Sequence, residues 1–186
     1  MTTTQLYKEL NHVNHSLEKR SYYADFMLDN PDLISKLLDI IFRVDDKMSP
    51  RAAWVFEFMC SKNINAIIPH LDTFTKNLNK VHLDSAVRPM AKICELLAKA
   101  YILKDNIDIK NALSKTHKER IIEACFDYMI NDEKVAAKAY GMVTLFLLGK
   151  EYDWVHPELA IILKRDFHKQ SAAFKARARH ILKALK

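Results

Sequence analysis

The amino-acid sequence predicts an all-α fold, an α-α superhelix of about four to five stacked helical hairpins, and three observations carry the prediction. Alanine-rich segments recur at intervals of 37, 48 and 39 residues. They open at Pro50-Arg51-Ala52-Ala53-Trp54, Val87-Arg88-Pro89-Met90-Ala91, Val135-Ala136-Ala137-Lys138-Ala139 and Phe174-Lys175-Ala176-Arg177-Ala178, and fixed spacing of that size marks helical repeat arrays. Two glycines and five prolines in 186 residues are too few to punctuate a many-stranded sheet. A hydrophobic content of 49% is enough for one buried core in a chain of this length, so a single domain over 1–186 is expected.

The elements follow in order. Helices are expected near 5–14 and 16–29. Asn30-Pro31-Asp32, Ser49-Pro50-Arg51 and His156-Pro157-Glu158 each place a side chain suited to capping before a first-turn proline, whose missing N–H has no partner to lose there. They set starts for helices near 31–44, 50–61 and 157–168. A helix near 64–79 contains Pro69 and needs a kink or a later start. The next runs near 86–103. Residues 104–114, Lys104 to Ser114, lengthen the middle interval as an insertion in which Ile107, Ile109 and Leu113 need cover. Thr116 and Glu119 read as a capping box for a helix near 115–131. Asp132 is placed to cap a helix near 133–148, which Gly149 closes by taking the left-handed conformation of a helix stop. The last helix covers about 172–185.

These segments resemble the HEAT and armadillo-like repeat superfamily, whose units are two antiparallel helices with a Val-Arg or Pro-Arg opening and an alanine-rich first helix. Ser49-Pro50-Arg51-Ala52-Ala53 and Ala86-Val87-Arg88-Pro89-Met90-Ala91 fit that pattern well, whereas Ala136 and Lys175 stand where the family often has arginine. The resemblance implies an N-terminal cap helix over 1–15, repeats near 16–48, 49–84, 85–132 and 133–170, and a C-terminal helix over 171–186. It further implies that the second helices, such as Pro157 to Leu163 and Ile67 to Leu71, line a concave face that binds an extended partner.

Net charge is +6, and it is uneven. Residues 160–186 hold eight Lys or Arg against one acid, Asp166, which leaves the rest of the chain close to neutral. In the final helix Lys175, Arg179 and Lys183 recur every four residues opposite an apolar stripe of Phe174, Ala178, Ile181 and Leu185. With Lys164, Arg165 and Lys169 they form a candidate basic surface for phosphates or an acidic protein. Its bland reading is the polar outer face that an array end needs, with cations suited to a helix C-terminus.

Catalytic signatures are sparse. Glu9, His12 and His15 form a single cluster of possible ligands, without the second Glu-x-x-His motif and extra carboxylates of a di-iron bundle, and read as solvated residues rather than a metal site. Cys60, Cys94 and Cys125 fall in apolar stretches as core residues, and their odd number fits a reducing compartment. Glycine-rich phosphate loops and a Gly-x-Ser-x-Gly elbow are absent, and no cofactor is expected. Some HEAT-like proteins are DNA glycosylases acting on alkylated bases with tryptophans and a carboxylate. Trp54, Asp153 and Trp154 are the residues available for that role here, but they match no motif of those enzymes, and both tryptophans read as interhelical packing. Tyr22 and Phe42 exceed what one apolar stripe needs and could meet a partner. The start Met1-Thr2-Thr3-Thr4 lacks a signal peptide's regions, and no apolar run spans a membrane, so a cytoplasmic location is expected. The resulting expectation is a non-enzymatic binding or scaffolding module with a protein partner. The alternative is a nucleic-acid-binding protein or a HEAT-like glycosylase.

Overall fold

Small side chains at four-residue spacing decide how closely these helices approach, and the computed structural model, which describes residues 1–104 and 106–185, shows the result. Asp105 of the expected insertion and Lys186 of the expected last helix lie outside the described residues. In chain order the helices are α1 (Thr3–Glu9), α2 (Leu17–Asp29), α3 (Ile34–Ile41), α4 (Ser49–Lys62), α5 (Leu71–Asn77), α6 (Asp84–Ile102), α7 (Ile107–Ala112), α8 (Lys115–Ile130), α9 (Val135–Leu148), α10 (Val155–Asp166) and α11 (Ala172–Ala184). No strand occurs among the described residues.

The helices form two rows. The first helices of the hairpins, α2, α4, α6, α9 and α11, pack side by side in one row. The second helices, α5, α8 and α10, form the other, with α3 and α1 at its N-terminal end. Ala52, Ala53, Ala86, Ala91, Ala98, Ala137 and Ala178 are buried, which brings first-row backbones close, while Phe56 and Phe74 fill the space between α4 and α5 with ring centroids 6.0 Å apart. Gly141 is another close approach: a Cβ there would lie 3.3 Å from the Cys125 carbonyl oxygen.

The caps differ from those the sequence predicts. Ser49 lies inside α4, buried, and its hydroxyl donates to the Ile41 carbonyl at 2.6 Å, closing the end of α3 instead of opening α4. Asn30 donates to the Phe26 carbonyl, so it finishes α2. The box expected at Thr116 is displaced by two residues: Ser114 accepts from the His117 N–H, while the His117 ring accepts from the Ser114 N–H. Lys134 rather than Asp132 precedes α9, with no side-chain cap. Pro69 falls in a 3-10 segment, Ile64–His70, and the α-helix starts afterwards at Leu71. In the insertion, α7 buries Ile109 and Leu113 but leaves Ile107 exposed.

Gly149 corrects a further expectation. Its φ is −61°, an ordinary right-handed value, so it is not there for a left-handed stop. It is there for room, because a Cβ would lie 2.3 Å from the His156 ring and 2.8 Å from the Leu145 carbonyl oxygen. The freed space lets His156 stack on Phe146, centroids 5.7 Å apart, with Nε2 2.9 Å from the Phe146 carbonyl oxygen at the end of α9.

Pro89 creates an equivalent problem within α6. Lacking an N–H, it leaves the Ser85 carbonyl without its helical donor, and the Trp54 indole N–H from α4 supplies one at 2.8 Å. Arg51 likewise donates to the carbonyls of Leu10 and Asn11 beyond α1, and Lys138 to that of Met129 near the end of α8. Backbone carbonyls left open in one hairpin are thus met by side chains of another, while Thr2, Ser16, Asn106, Ser114 and Ser171 cap their own helices locally.

Candidate functional site

Three surfaces stand out from the packing. The first lies where α10 meets α11. Phe174, Ala178 and Ile181 turn inward as their spacing dictates, and Lys164, Phe167, His168, Arg179, Leu182 and Lys183 line an open cleft of about 420 Å³. The Arg179 guanidinium sits 5.5 Å from the Phe167 ring centroid.

Of the six basic residues the sequence singles out, Lys164, Arg179 and Lys183 converge here. The other three do not. Arg165 is bound side by side to Asp166, at 2.8 and 2.7 Å, and that guanidinium holds the Asp166 carboxyl below its ordinary value. Lys169 is exposed on the 3-10 turn Phe167–Lys169 without lining the cleft, and Lys175 is half-buried away from it.

The second surface crosses the outer side of the first row. Arg20 of α2 sits 5.9 Å from the Trp54 ring and 4.9 Å from the Phe58 ring of α4. His15 approaches the same indole at 4.9 Å, and with Leu17, Ser85 and Arg88 these residues line a cleft of about 460 Å³. Glu57 of α4, buried, accepts from both terminal nitrogens of Arg88 of α6 at 2.9 and 2.6 Å. Glu95 is buried between Lys92 and Lys99 at 2.6 and 2.8 Å. Burial works to raise the Glu95 pKa, but its hydrogen bonds to the two lysines prevail and hold it below the usual carboxylate value. Lys92 lies 4.7 Å from the Tyr140 ring of α9, and Arg177 and His180 of α11 flank Val143. Sequence reasoning missed this surface because its members come from five separated segments.

The third surface belongs to the second row. Trp154 is 53% exposed, which corrects the expectation that it is packed between helices. It stacks on Phe126 of α8, 5.6 Å between centroids at 24°, and with Glu158 lines a cleft of about 380 Å³. Ile161, 58% exposed, follows Trp154 and Glu158 on the same side of α10, and Ile130 is exposed near the end of α8.

Other sequence candidates disperse. Trp54 and Trp154 line separate clefts, and Asp153 is exposed beside neither the Arg20 nor the Lys164 cleft. Glu9 accepts from the Tyr23 hydroxyl while His15 faces Trp54, and among the described residues no group of His, Cys, Asp or Glu is placed to hold a metal. Cys60, Cys94 and Cys125 are free and buried, with burial pushing the Cys60 and Cys94 thiols well up. Tyr22 is exposed and Phe42 half-buried. None of the helices among the described residues is long and apolar enough to cross a membrane.

The family model of the HEAT repeat domain matches residues 6–185, nearly the whole chain. The chain belongs to the HEAT repeat family. No curated protein and no solved structure matches it. HEAT repeats generally mediate protein interactions or scaffolding, and they are typically non-enzymatic. In this HEAT repeat array the three surfaces are edges and faces of the stack itself, since adjacent hairpins build each of them jointly.

Proposed function

We propose that the protein is a non-enzymatic binding or scaffolding module that takes a protein partner on its second-helix face, the face expected to be concave. The observation that carries this reading is the Phe126–Trp154 pair. An aromatic residue half-exposed on a rigid helix, with its ring oriented by a stacked neighbour, is the type of side chain that dominates protein interfaces when a partner desolvates it. Ile161 extends the apolar contact along α10, and Lys164 and Arg165 follow one turn later. A partner segment with an apolar anchor and an acidic flank matches that order. Lys164, Arg179 and Lys183 would receive the flank, with Lys169, Lys175 and the Asp166-bound Arg165 contributing only at longer range. Free buried thiols suit a reducing compartment such as the cytoplasm.

The test is quantitative affinity capture on immobilised wild-type protein against Trp154→Ala and Trp54→Phe variants, read by mass spectrometry and repeated with the purified candidate. The reading expects one binder that is lost with Trp154→Ala, about 2 kcal/mol weaker or more, and retained with Trp54→Phe. A binder indifferent to Trp154→Ala and Ile161→Asp would place the interface elsewhere.

A further inference from the structure

Charge in this molecule is sorted by row. The first-row helices α2, α4, α6, α9 and α11 carry twelve Lys or Arg and six acids, whereas α1, α3, α5, α8 and α10 carry eight of each. Each acid on α4 and α6 already has a cation: Glu57 has Arg88, Glu95 has Lys92 and Lys99, and Asp84 has Lys134 at 3.4 Å; on α2, Asp25 has Lys62. Glu57 and Glu95 are also buried, so their charge is turned away from solvent. Lys62 and Arg88 are matched one to one by Asp25 and Glu57, and Lys138 is buried. The outward surplus is therefore one charge from Lys92 and Lys99 net of Glu95, Arg20 at one end and the cations of α11 at the other.

These cations are held in place. Arg20 rests on Trp54 and Phe58, Lys92 on Tyr140, and Arg177 stands beside the α9 seam. Ring contacts of this kind reduce the rotamer freedom that a long basic side chain loses on binding. Neighbouring helix axes lie about 8–10 Å apart, so the row from α2 to α11 extends roughly 35 Å, about one turn of a double helix. Meanwhile α4, α6, α9 and α11 expose no large apolar side chain, so along most of the row the anchor that a protein hot spot or a bilayer would need is missing; exposed Leu17 and Tyr22 are confined to α2 at its end.

We propose that the outer face of the first row binds the phosphate backbone of double-helical nucleic acid, without reading its sequence, through Arg20, Lys92, Lys99 and Arg177. The surface is separate from the Trp154 face, so one array could hold a protein and a duplex on opposite rows. Net of Glu95, which Lys92 and Lys99 share, three neutralised phosphates imply a salt slope near −2.7, a loss of roughly 40-fold in affinity between 50 and 200 mM salt.

The experiment titrates fluorescein-labelled 24-base-pair DNA and RNA duplexes of two unrelated sequences at both salt concentrations, with circular dichroism to confirm folding of each variant. Either duplex binding at 50 mM with that slope, equally for both sequences, and about tenfold weaker for Arg177→Glu and for Arg20→Ala, is the expected result, and the two arms identify which duplex is held. Lys115→Glu, a reversal on the second row, and Lys164→Glu, in the terminal cleft, should leave affinity within about twofold. Absence of binding at 50 mM would overturn the proposal, as would equal losses from Lys115→Glu and Arg177→Glu, dependence on Lys164 alone, or a more than tenfold preference between sequences.

Discussion

Replacing Gly149 with alanine should unsettle two helices through one methyl group. Its φ of −61° is open to any residue, and glycine to alanine at a compatible φ ordinarily gains about 0.4–1 kcal/mol through the unfolded chain. Here the new Cβ would fall 2.3 Å from His156 Cδ2, 2.5 Å from Nε2 and 2.8 Å from the Leu145 carbonyl oxygen. His156 must swing away, losing its contact with the Phe146 carbonyl and its stack on that ring, worth about 0.5–1.5 kcal/mol for the hydrogen bond. Strain against Leu145 adds about 1–3 kcal/mol, because that atom is backbone and yields less. The expected net loss is about 2–3 kcal/mol, read by urea unfolding as a lower midpoint at unchanged slope. In a His156→Ala background the ring is gone and only the Leu145 contact remains, so the same substitution should be milder by about 1–2 kcal/mol. Equal losses in both backgrounds would refute the reasoning, and a gain of stability in the wild-type background would refute it outright.

Three further outcomes are expected. Trp54→Phe removes the indole donor to the Ser85 carbonyl and should destabilise by about 0.5–1.5 kcal/mol, whereas in a Pro89→Ala background the backbone N–H restored at that position takes over and about half of that loss disappears in thermal melts. Glu95 is held below its ordinary pKa, so its stabilising ion pairs are complete above about pH 4.3, the unfolded value, and fade as pH falls through the lower folded value. Glu95→Gln should therefore destabilise by about 1–3 kcal/mol at pH 7 and flatten the acid limb of a stability–pH curve, and an unchanged acid limb would contradict the assignment. Asp127 has the opposite sign, since burial raises its pKa and its ionisation opposes folding as pH rises; Asp127→Asn should raise Tm at pH 7 by about 1–2 °C and leave it unchanged at pH 3.

The hairpin stack was legible because prolines and alanines report directly on backbone and spacing. Pro31, Pro50 and Pro157 all lie in first turns, and the segments starting at Pro50, Val87, Val135 and Phe174 supply α4, α6, α9 and α11. Caps were not legible, because a hydroxyl or imidazole before a proline can turn either way. Ser49 serves the preceding helix, and His156 reaches back to α9, choices that depend on which carbonyl lies nearest in three dimensions.

The basic surface was half legible for a related reason. Periodicity placed Arg179 and Lys183 correctly, but pairing is local geometry, and Arg165 is spent on the adjacent Asp166. The sorting of charge between rows was hidden altogether. First and second helices alternate along the chain, so a window slid along the sequence averages the basic row with the neutral one. Trp154 was misread because a tryptophan at a junction usually finds a pocket, and here its neighbour Phe126 offers one face only.

The indole of Trp54 answering a carbonyl that Pro89 leaves open means that the units of this array are not interchangeable beads. Excising the hairpin that begins at α4, or splicing in a spare copy after it, would set a donor against the wrong neighbour and strand an acceptor at the new seam. Expansion by duplication, an easy route for identical modules, is obstructed here by mismatched joints, and a designer wishing to lengthen the stack would have to carry Trp54 and Pro89 across together.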